Sequence, residues 1–512
     1  MYEELTELIQ KGDIDEALYV FQEEFFHIDE KTPEDAARLC VLEASIWEFL
    51  NDPVAEFEAI GRGLRYDPGN YELFYMLGLY YINTNINQAF LCMEMALFYC
   101  SCEEDRALIA GQVEELKKNP AMDVKNTSIM ILSYNDPDIL KDCIDSVEKY
   151  VPPGSYEIVV VDNASTDTQV PGLLRSKRDD APCRFVLVEN AENEGFPKGC
   201  NTGARNCSPG NDIFFLNNDA VLMQNSLFFM RMGLYEDRNV GAVGPMSNSA
   251  SLQEVDRSLI DGAKEFDGDI PWHRQAGYRR ARKIFEKYAS KNSTLMNNPY
   301  TRVFRLTGFA LLISAQALKA VSLGGQVFDE AFSPGYFEDD DLGIRVARAG
   351  FTQLVCRNSF VYHNGGSGFE GAGDAMERGR EKFVNKWGFD IWGYSLPWFD
   401  AADAVIELSK EKRGHLRIID FTCGFGATAA YIKSKCPEAF VAGVCRTSFE
   451  AGIARHLADE VAFGELNTMR LPWERHSFDV VIAEKKDVCK CRIAECLCEG
   501  GIPLTDNLED TQ

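Results

Sequence analysis

Between residues 125 and 400 short β-branched runs alternate with helical stretches, and this alternation constrains the fold more tightly than any composition figure. TSIMILSY and YEIVVVD flank the helical DILKDCIDSVEKY, and RFVLVEN and DIFFLNND follow at similar spacing. That is the βαβ signature of a doubly wound, mostly parallel sheet, whose ligands gather beyond the C-terminal ends of its strands. A second α/β pattern begins at residue 415: LRIID, a glycine-rich turn, AAYIKSK, FVAGVC and then FDVVIAE. The linker between the two units is placed near Pro397–Ala404.

Residues 1–120 carry a helical period instead. Ala55 and Ala89 stand 34 residues apart, and each opens a helical stretch, VAEFEAIGRGL and QAFLCMEMAL. Asp67-Pro68-Gly69-Asn70 precedes a segment in which Leu77-Gly78 and Tyr81 fall before Ala89, with Ala96 beyond; an earlier copy starts around Ala17. Small residues at such positions let antiparallel helices approach closely, and stacked pairs bury a continuous core. The segment resembles tetratricopeptide repeats, in about three loosely matched copies. Here 8 basic residues stand against 25 acidic ones, a balance of −17 that is over half of the chain's −28. Its binding face should prefer neutral or basic peptides.

The same acidity argues against broad contact with nucleic-acid backbones or anionic leaflets. No apolar run approaches the ~18–20 residues that cross a bilayer. The acidic, amphipathic start has neither the basic region nor the apolar stretch of a signal peptide. Cysteines number 16 without framework spacing, which reads as reduced thiols in a cytoplasmic protein.

Five motifs follow one another in the central region. They are SIMILSYN, ending in Ser133-Tyr134-Asn135; VVVDNASTD, with Asp162; NAENEGFPKGCNTG; FFLNNDA; and FDEAFSPGYFEDDDLGIRVARAG. VYHNGGSGF, with His363, and KFVNKWGF, around Trp387, lie downstream. In this order they resemble the family 2 glycosyltransferases, enzymes of GT-A fold that usually invert the anomeric centre, over about residues 127–390.

The resemblance implies a role for each motif. Asp162 would accept the N3–H of a uracil or thymine ring, with Ser133, Tyr134 and Asn135 lining the base pocket; the alternative for Asp162 is a helix N-cap. Asn193, Gly195, Phe196 and Asn201 would meet ribose or phosphate, while Pro197, before Lys198, stiffens the loop and removes a backbone donor. Asn217 stands at the first acidic position of the family's Asp-x-Asp, followed by Asn218, and only Asp219 keeps a carboxylate. With diphosphate oxygens and water, one carboxylate can hold Mg²⁺ or Mn²⁺. His363 would join it near the metal or diphosphate.

Glu338 to Asp341 are four consecutive acids where a glycine-containing loop becomes an amphipathic helix. An acidic run is usually a solvated helix start, but these flanks are apolar and aromatic. By the resemblance Asp339 is the general base, Glu338 orients acceptor or base, and Asp341 caps a helix whose Leu342 and Val346 pack inward. Arg274, Arg279, Arg280, Arg282, Lys283 and Lys287 form a cationic island. It either steers an anionic donor or is an exposed helix face.

IIDFTCGFGATAA and GELNTMRLPWERHSFDVVIAE resemble class I S-adenosylmethionine methyltransferases over residues 415–500. Gly424 and Gly426 keep part of the glycine turn, but Thr422 replaces its first glycine. Cys445-Arg446 stand where that family binds ribose with an acid, and arginine cannot accept those bonds. The chain stops soon after CEGGIPL, so the unit is expected to be a relic used for packing, with no S-adenosylmethionine bound. Cys489, Cys491, Cys496 and Cys498 do not match the usual zinc spacing.

The expected fold is multidomain: an α-helical repeat array over 1–120, a GT-A domain with a doubly wound mixed sheet over 125–398, and a truncated Rossmann-like α/β unit over 404–512. The expected activity is metal-dependent, inverting sugar transfer from a nucleotide-diphosphate sugar, UDP-sugars favoured, to a hydroxyl. The array would recruit a protein Ser or Thr, such as that of a flagellar subunit, or merely drive homodimerisation. Other readings are a polysaccharide or lipid-linked acceptor, a scaffold that binds nucleotide sugar without turnover, and a transferase that also methylates.

Overall fold

The computed structural model describes residues 2–261, 277–365, 372–411 and 415–506. Seven α-helices come first: α1 (Tyr2–Lys11), α2 (Ile14–Phe25), α3 (Pro33–Phe49), α4 (Pro53–Tyr66), α5 (Tyr71–Tyr81), α6 (Ile86–Tyr99) and α7 (Glu103–Lys117). Thr32, Asp52, Asn70 and Asn85 each accept a backbone N–H from the turn they open, and Pro33 and Pro53 sit where a missing N–H costs nothing. Gly78 lets α5 and α6 close on each other; a Cβ there would lie 2.7 Å from Met93 Cε.

The array shares its core with the central α/β region. Phe74 meets Phe228 edge to face at 5.3 Å, on the helix Ser226–Leu234. Gln88 Nε2 donates to the Met232 carbonyl at 3.0 Å, the Tyr99 hydroxyl donates to Asn225 Oδ1 at 3.0 Å, and buried Arg231 pairs with Glu94. One apolar cluster runs from Leu73, Phe74 and Met93 through Phe228 and Phe229 to Ile129, Ile158 and Leu312 in the sheet.

That sheet contains β1 (Thr127–Ser133), β2 (Tyr156–Asp162), β3 (Phe185–Glu189), β4 (Asp212–Asn217), β5 (Ala220–Leu222), β6 (Val240–Met246), β7 (Tyr300–Val303), β8 (Ala310–Ile313) and β9 (Thr352–His363). Its order is β3-β2-β1-β4-β8-β6-β9-β5, with β7 beside β9. β3, β2, β1 and β4 are parallel, β8 is antiparallel to β4 and β6, and β9 is parallel to β6. β1 and β2 are almost wholly buried, as continuous apolar strands covered on both faces must be. The chain lays β2 and β3 on one side of β1 and β4 on the other, so a switch point opens at the C-terminal ends of β1 and β4.

The C-terminal unit is a parallel sheet of β10 (Arg417–Asp420), β11 (Phe440–Cys445), β12 (Glu460–Phe463), β13 (Phe478–Ala483) and β14 (Leu497–Thr505), ordered β12-β11-β10-β13-β14. The expected linker needs correcting. A helix already starts at Phe399 and runs to Glu411, and its Ala401, Ala402 and Val405 pack with Leu416, Ile418 and Val480. The apolar spacing of that helix belongs to the C-terminal core, so the connection is confined to the few residues before it. Among the described residues no helix is long and apolar enough to cross a membrane.

Phe74→Ala is expected to lower the unfolding free energy by about 3–5 kcal/mol. Urea denaturation followed by far-ultraviolet circular dichroism and by tryptophan fluorescence should still give one coincident transition. Separate melting of the helices, with the sheet signal unchanged, would contradict a shared core.

Candidate active site

Parallel register aligns the first three motifs at one edge. Ser133 of β1 stands opposite Asp162 of β2, and Leu132 stands opposite Asn217 of β4. Beyond this edge lies a cavity of roughly 1130 Å³, walled by Tyr134, Asn135, Asn163, Asn193, Gly195, Phe196, Asn217, Asn218 and Asp219 on one side. Arg305, Gly308, the segment from Ser333 to Asp340, His363 and Trp392 complete it.

The third and fifth motifs touch through backbone. Gly195 has φ +77°, and a Cβ there would lie 2.8 Å from both the Cα and the carbonyl oxygen of Pro334, so only glycine fits. The Phe196 N–H donates to that same carbonyl at 2.8 Å. Gly195 also opens the helix Phe196–Asn206. Pro197 therefore sits in a first helical turn, where its missing N–H is an orphan anyway, instead of stiffening a loop.

Asp219 and His363 are brought together by antiparallel pairing of β5 with β9, in which Ala220 faces His363. His363 Nε2 lies 3.3 Å from Asp219 Oδ1, and its Nδ1 is 2.6 Å from the Ser249 carbonyl oxygen. That contact puts a proton on Nδ1, so Nε2 meets the carboxylate as a second N–H when the ring is charged and offers its lone pair when the ring is neutral. Phe309 stacks on the imidazole at 4.8 Å, and the Asn248 amide brackets the His363 backbone at 2.7 and 2.9 Å. Burial disfavours the charged imidazolium, but the Asp219 carboxylate outweighs it and holds the His363 pKa above its ordinary value. Two donors facing the cavity fit a divalent cation that takes its other ligands from phosphate and water. Among the described residues no cluster of three His, Cys, Asp or Glu side chains is assembled to hold a metal.

The helix Glu338–Arg348, here called the acid helix, follows two residues with left-handed backbone, Tyr336 (φ +77°) and Phe337 (φ +69°). Such conformations store strain, and they turn the chain sharply into the helix. Asp339 Oδ2 accepts the Gly308 N–H at 3.0 Å, and Oδ1 accepts the Asp340 N–H at 2.9 Å. Glu338 is 6% exposed, and among the described residues its Oε2 has no hydrogen-bond partner. Burial first, then the neighbouring Asp339, push its carboxyl well above the usual range. Asp340 pairs with Arg305, yet burial and Asp339 still raise its pKa to about 6.

Two expected ligand contacts are used elsewhere, and a third does not reach the cavity. Asn201 is buried; its amide donates to the Phe328 carbonyl at 2.8 Å and accepts the Val327 and Phe328 N–H groups at 3.0 Å. It lies on the inward face of its helix and pins the loop after β8. Ser133 is fully buried and does not line the cavity. Asp162 is 6% exposed and accepts the Ser165 N–H at 3.0 Å, closing a turn ahead of the next helix, while Asn163 takes the place on the wall.

Asp341 is not a cap, because Phe337 holds that position. It is fully buried and accepts from Arg345 Nε and Trp387 Nε1, each at 2.9 Å. The cationic island is an outer helix face. Arg279, Arg280, Lys283 and Lys287 are exposed on the helix Tyr278–Asn292, Arg282 bonds Asp142 at 2.6 Å, and none lines the cavity. Arg274 lies outside the described residues. Arg305, which sequence reasoning passed over, supplies the cation, and no local motif marks it.

Residues 128–320 match the family model of Glycosyl transferase family 2. The match ends before the acid helix and His363. A 101-residue stretch is 32% identical to the poly(ribitol-phosphate) beta-glucosyltransferase of Bacillus spizizenii, covering 20% of this chain and 16% of that one. An uncharacterized glycosyltransferase of Bacillus subtilis, YfnE, is 22% identical over 263 residues, 46% of this chain and 64% of its own length. The chain thus spans less than two thirds of either curated relative. Solved structures align at low TM-scores. GalNAc-T7 with UDP, GalNAc and Mn²⁺ gives 0.39 at 15% identity, over 52% of this chain and 48% of that chain. The Pyrobaculum calidifontis mannosyltransferase PcManGT with GDP-Man and Mn²⁺ gives 0.33 at 17% identity, over 54% and 69%. The family match and the relatives' names support glycosyltransferase activity.

Arg305→Met leaves Asp340 buried without its counter-charge and is expected to destabilise the chain by about 3–5 kcal/mol. Asp340 titrates near about 6 when folded, against an ordinary 3.8. The folded state therefore holds an extra proton between these values, and this carboxyl's contribution to stability falls as pH rises through that window. The deficit measured by urea denaturation should be smaller at pH ~5 than at pH ~8.

Proposed function

We propose that this cavity transfers a sugar from a nucleotide diphosphate, a UDP-sugar, to a hydroxyl acceptor with inversion at the anomeric carbon. The observation that carries the reading is the convergence of Asp339, the Asp219–His363 pair, and strand-end amides of Asn135 and Asn163 on one cavity. Asp339 is the general base: two backbone N–H groups hold its carboxylate in place, and it takes the acceptor proton as the hydroxyl attacks. The diphosphate leaves from the opposite face of the sugar. Glu338, whose carboxyl is pushed well above the usual range by burial and then by Asp339, would donate a hydrogen bond toward the acceptor or Asp339 when it holds its proton.

Asp219 and His363 Nε2 would hold Mn²⁺ or Mg²⁺, which when bound supplies Lewis-acid stabilisation of the leaving diphosphate. A cation is also required by the wall's own charge. Among the described residues, Asp136, Glu194, Asp219 and Asp339 line the cavity beside the Asp340–Arg305 pair, a field that repels a diphosphate.

For the acceptor, our reading is a Ser or Thr hydroxyl of a protein held by the helical array. Its support is the −17 balance over residues 1–120 and an exposed apolar tip, Phe49 (59% exposed), Leu50 (44%) and Val54 (66%). A polymer hydroxyl is the second reading, favoured by the name of the Bacillus spizizenii relative. Because the array shares its core with the sheet, deleting it does not isolate recruitment. Alanine at Phe49, Leu50 and Val54 together does: unchanged protein glycosylation in cell extract would exclude recruitment through this tip, and transfer to no protein with either chain would exclude the protein reading.

The central experiment is a hydrolysis and transfer screen with UDP-, dTDP- and GDP-sugars plus Mn²⁺. Asp339→Asn should lower kcat by about 10²–10⁴-fold with donor binding retained, whereas Glu338→Gln, which mimics the protonated carboxyl, should lose far less. Chelation should abolish turnover and Mn²⁺ restore it. Full activity in Asp339→Asn refutes the base assignment, and tight donor binding without turnover on any acceptor, water included, points to a scaffold.

A further inference from the structure

The C-terminal sheet turns the carboxyl ends of β10 and β11 toward the acid helix. After β10 the glycine turn places Phe425 face to face with Tyr394, ring centroids 4.1 Å apart at 18°. Phe389 and Phe304 meet Phe425 edge-on at 5.1 and 5.3 Å, and Phe425 is 1% exposed. Tyr394 also covers Gly424, whose Cβ would lie 3.2 Å from its ring, and donates its hydroxyl to Glu450 at 3.2 Å. The end of a doubly wound sheet where a ligand ordinarily sits is filled by aromatic rings from the preceding unit.

The same seam grips the acid helix at both ends. His456, just past the helix Ser448–Ala454 of the C-terminal unit, has Nε2 2.9 Å from the Ala347 carbonyl oxygen in the last helical turn. Its Nδ1 lies 3.4 Å from the Thr352 hydroxyl, so Nε2–H donates and Nδ1 accepts. The Arg348 guanidinium lies over Phe449 at 5.2 Å and over Trp387 at 5.7 Å. Trp387 in turn donates to Asp341 in the first turn. Ile344 and Ala347 of the acid helix share one apolar cluster with Phe425, Ile453 and Leu457.

We infer that His456 is a positioning residue for Asp339, and that the C-terminal unit braces the acid helix with its own glycine turn closed by Tyr394. The catalytic half of this inference rests on Asp339 being the base; the brace itself does not. Asp339 lies two turns from Ala347 on one rigid helix, so a contact that fixes the far end sets where the carboxylate stands. A misplacement of about 1 Å at a reacting group is worth up to ~10²-fold in rate.

His456→Leu removes the donor, and His456→Gln keeps an N–H that can reach the same carbonyl. By hydrogen–deuterium exchange on the full chain, His456→Leu should speed exchange in peptides covering 338–350 while peptides from β10 and β13 stay protected. In sugar transfer its kcat should fall about tenfold with donor KM unchanged, and His456→Gln should recover most of both effects. Unchanged exchange over 338–350 in His456→Leu, or a glutamine variant no better than the leucine one, overturns the brace. If His456→Leu does not fold, Phe449→Leu loosens the same seam and is read by the same two measurements. If the wild type transfers from no donor, the functional reading fails while exchange still decides the brace. Heat of binding on titrating the full chain with S-adenosylmethionine would overturn the closed turn.

Discussion

Four carboxyl groups in one helical turn cannot all remain charged and uncompensated away from water, and the site is arranged around that constraint. Each acid is relieved differently. Asp341 is surrounded by Arg345, Lys386 and Trp387. Asp340 has Arg305, brought from the segment before β8. Burial and the neighbouring Asp339 push the Glu338 carboxyl toward its protonated form. Asp339 keeps two backbone N–H partners and opens on the cavity. Three relieved neighbours leave one carboxylate whose environment suits proton abstraction, and that selection comes from residues as distant in sequence as Arg305 and Trp387.

These partners stay in place because the elements carrying them are fixed in the body of the molecule. β9 passes from Thr352, beside His456, to His363 at the cavity, so one strand connects the far end of the acid helix to the Asp219–His363 pair. The helix Ser226–Leu234 follows β5 and lies against α6, and its nine residues are all buried. A helix buried on every side needs apolar cover on its outer face, and the array supplies it. The array is therefore part of the catalytic unit's core, whatever else its exposed tip binds.

Much of this was legible in the sequence, for identifiable reasons. β1, β2 and β4 read correctly because parallel, doubly covered strands are continuous apolar runs, and parallel register then gathers their ends without further information. Asp219, His363 and the acid run stood at strand or helix ends, where chemistry concentrates in such folds. Asn201 misled because an asparagine beside a glycine-rich loop has the same composition whether it binds ligand or pins a neighbouring loop; only the inward face of its helix distinguishes them. Asp162 and Asn163 are adjacent, and strand alternation decides which reaches the wall. Arg305 and the array's buried face were illegible because each depends on a pairing between segments far apart in the chain.

Asp420 shows what the closed glycine turn costs. It sits at the tip of β10, fully buried; Thr422 satisfies Oδ1 through its N–H and hydroxyl, and among the described residues Oδ2 has no partner. Burial raises its pKa to about 6, so this carboxyl's contribution to stability falls as pH rises from 3.8 through that value. Further along the same turn the stacked rings of Tyr394 and Phe425 make an apolar contact instead. At this edge the C-terminal unit keeps an unsatisfied carboxyl oxygen, while the turn beside it packs its ring into the apolar cluster shared with Ile344 and Ala347 of the acid helix.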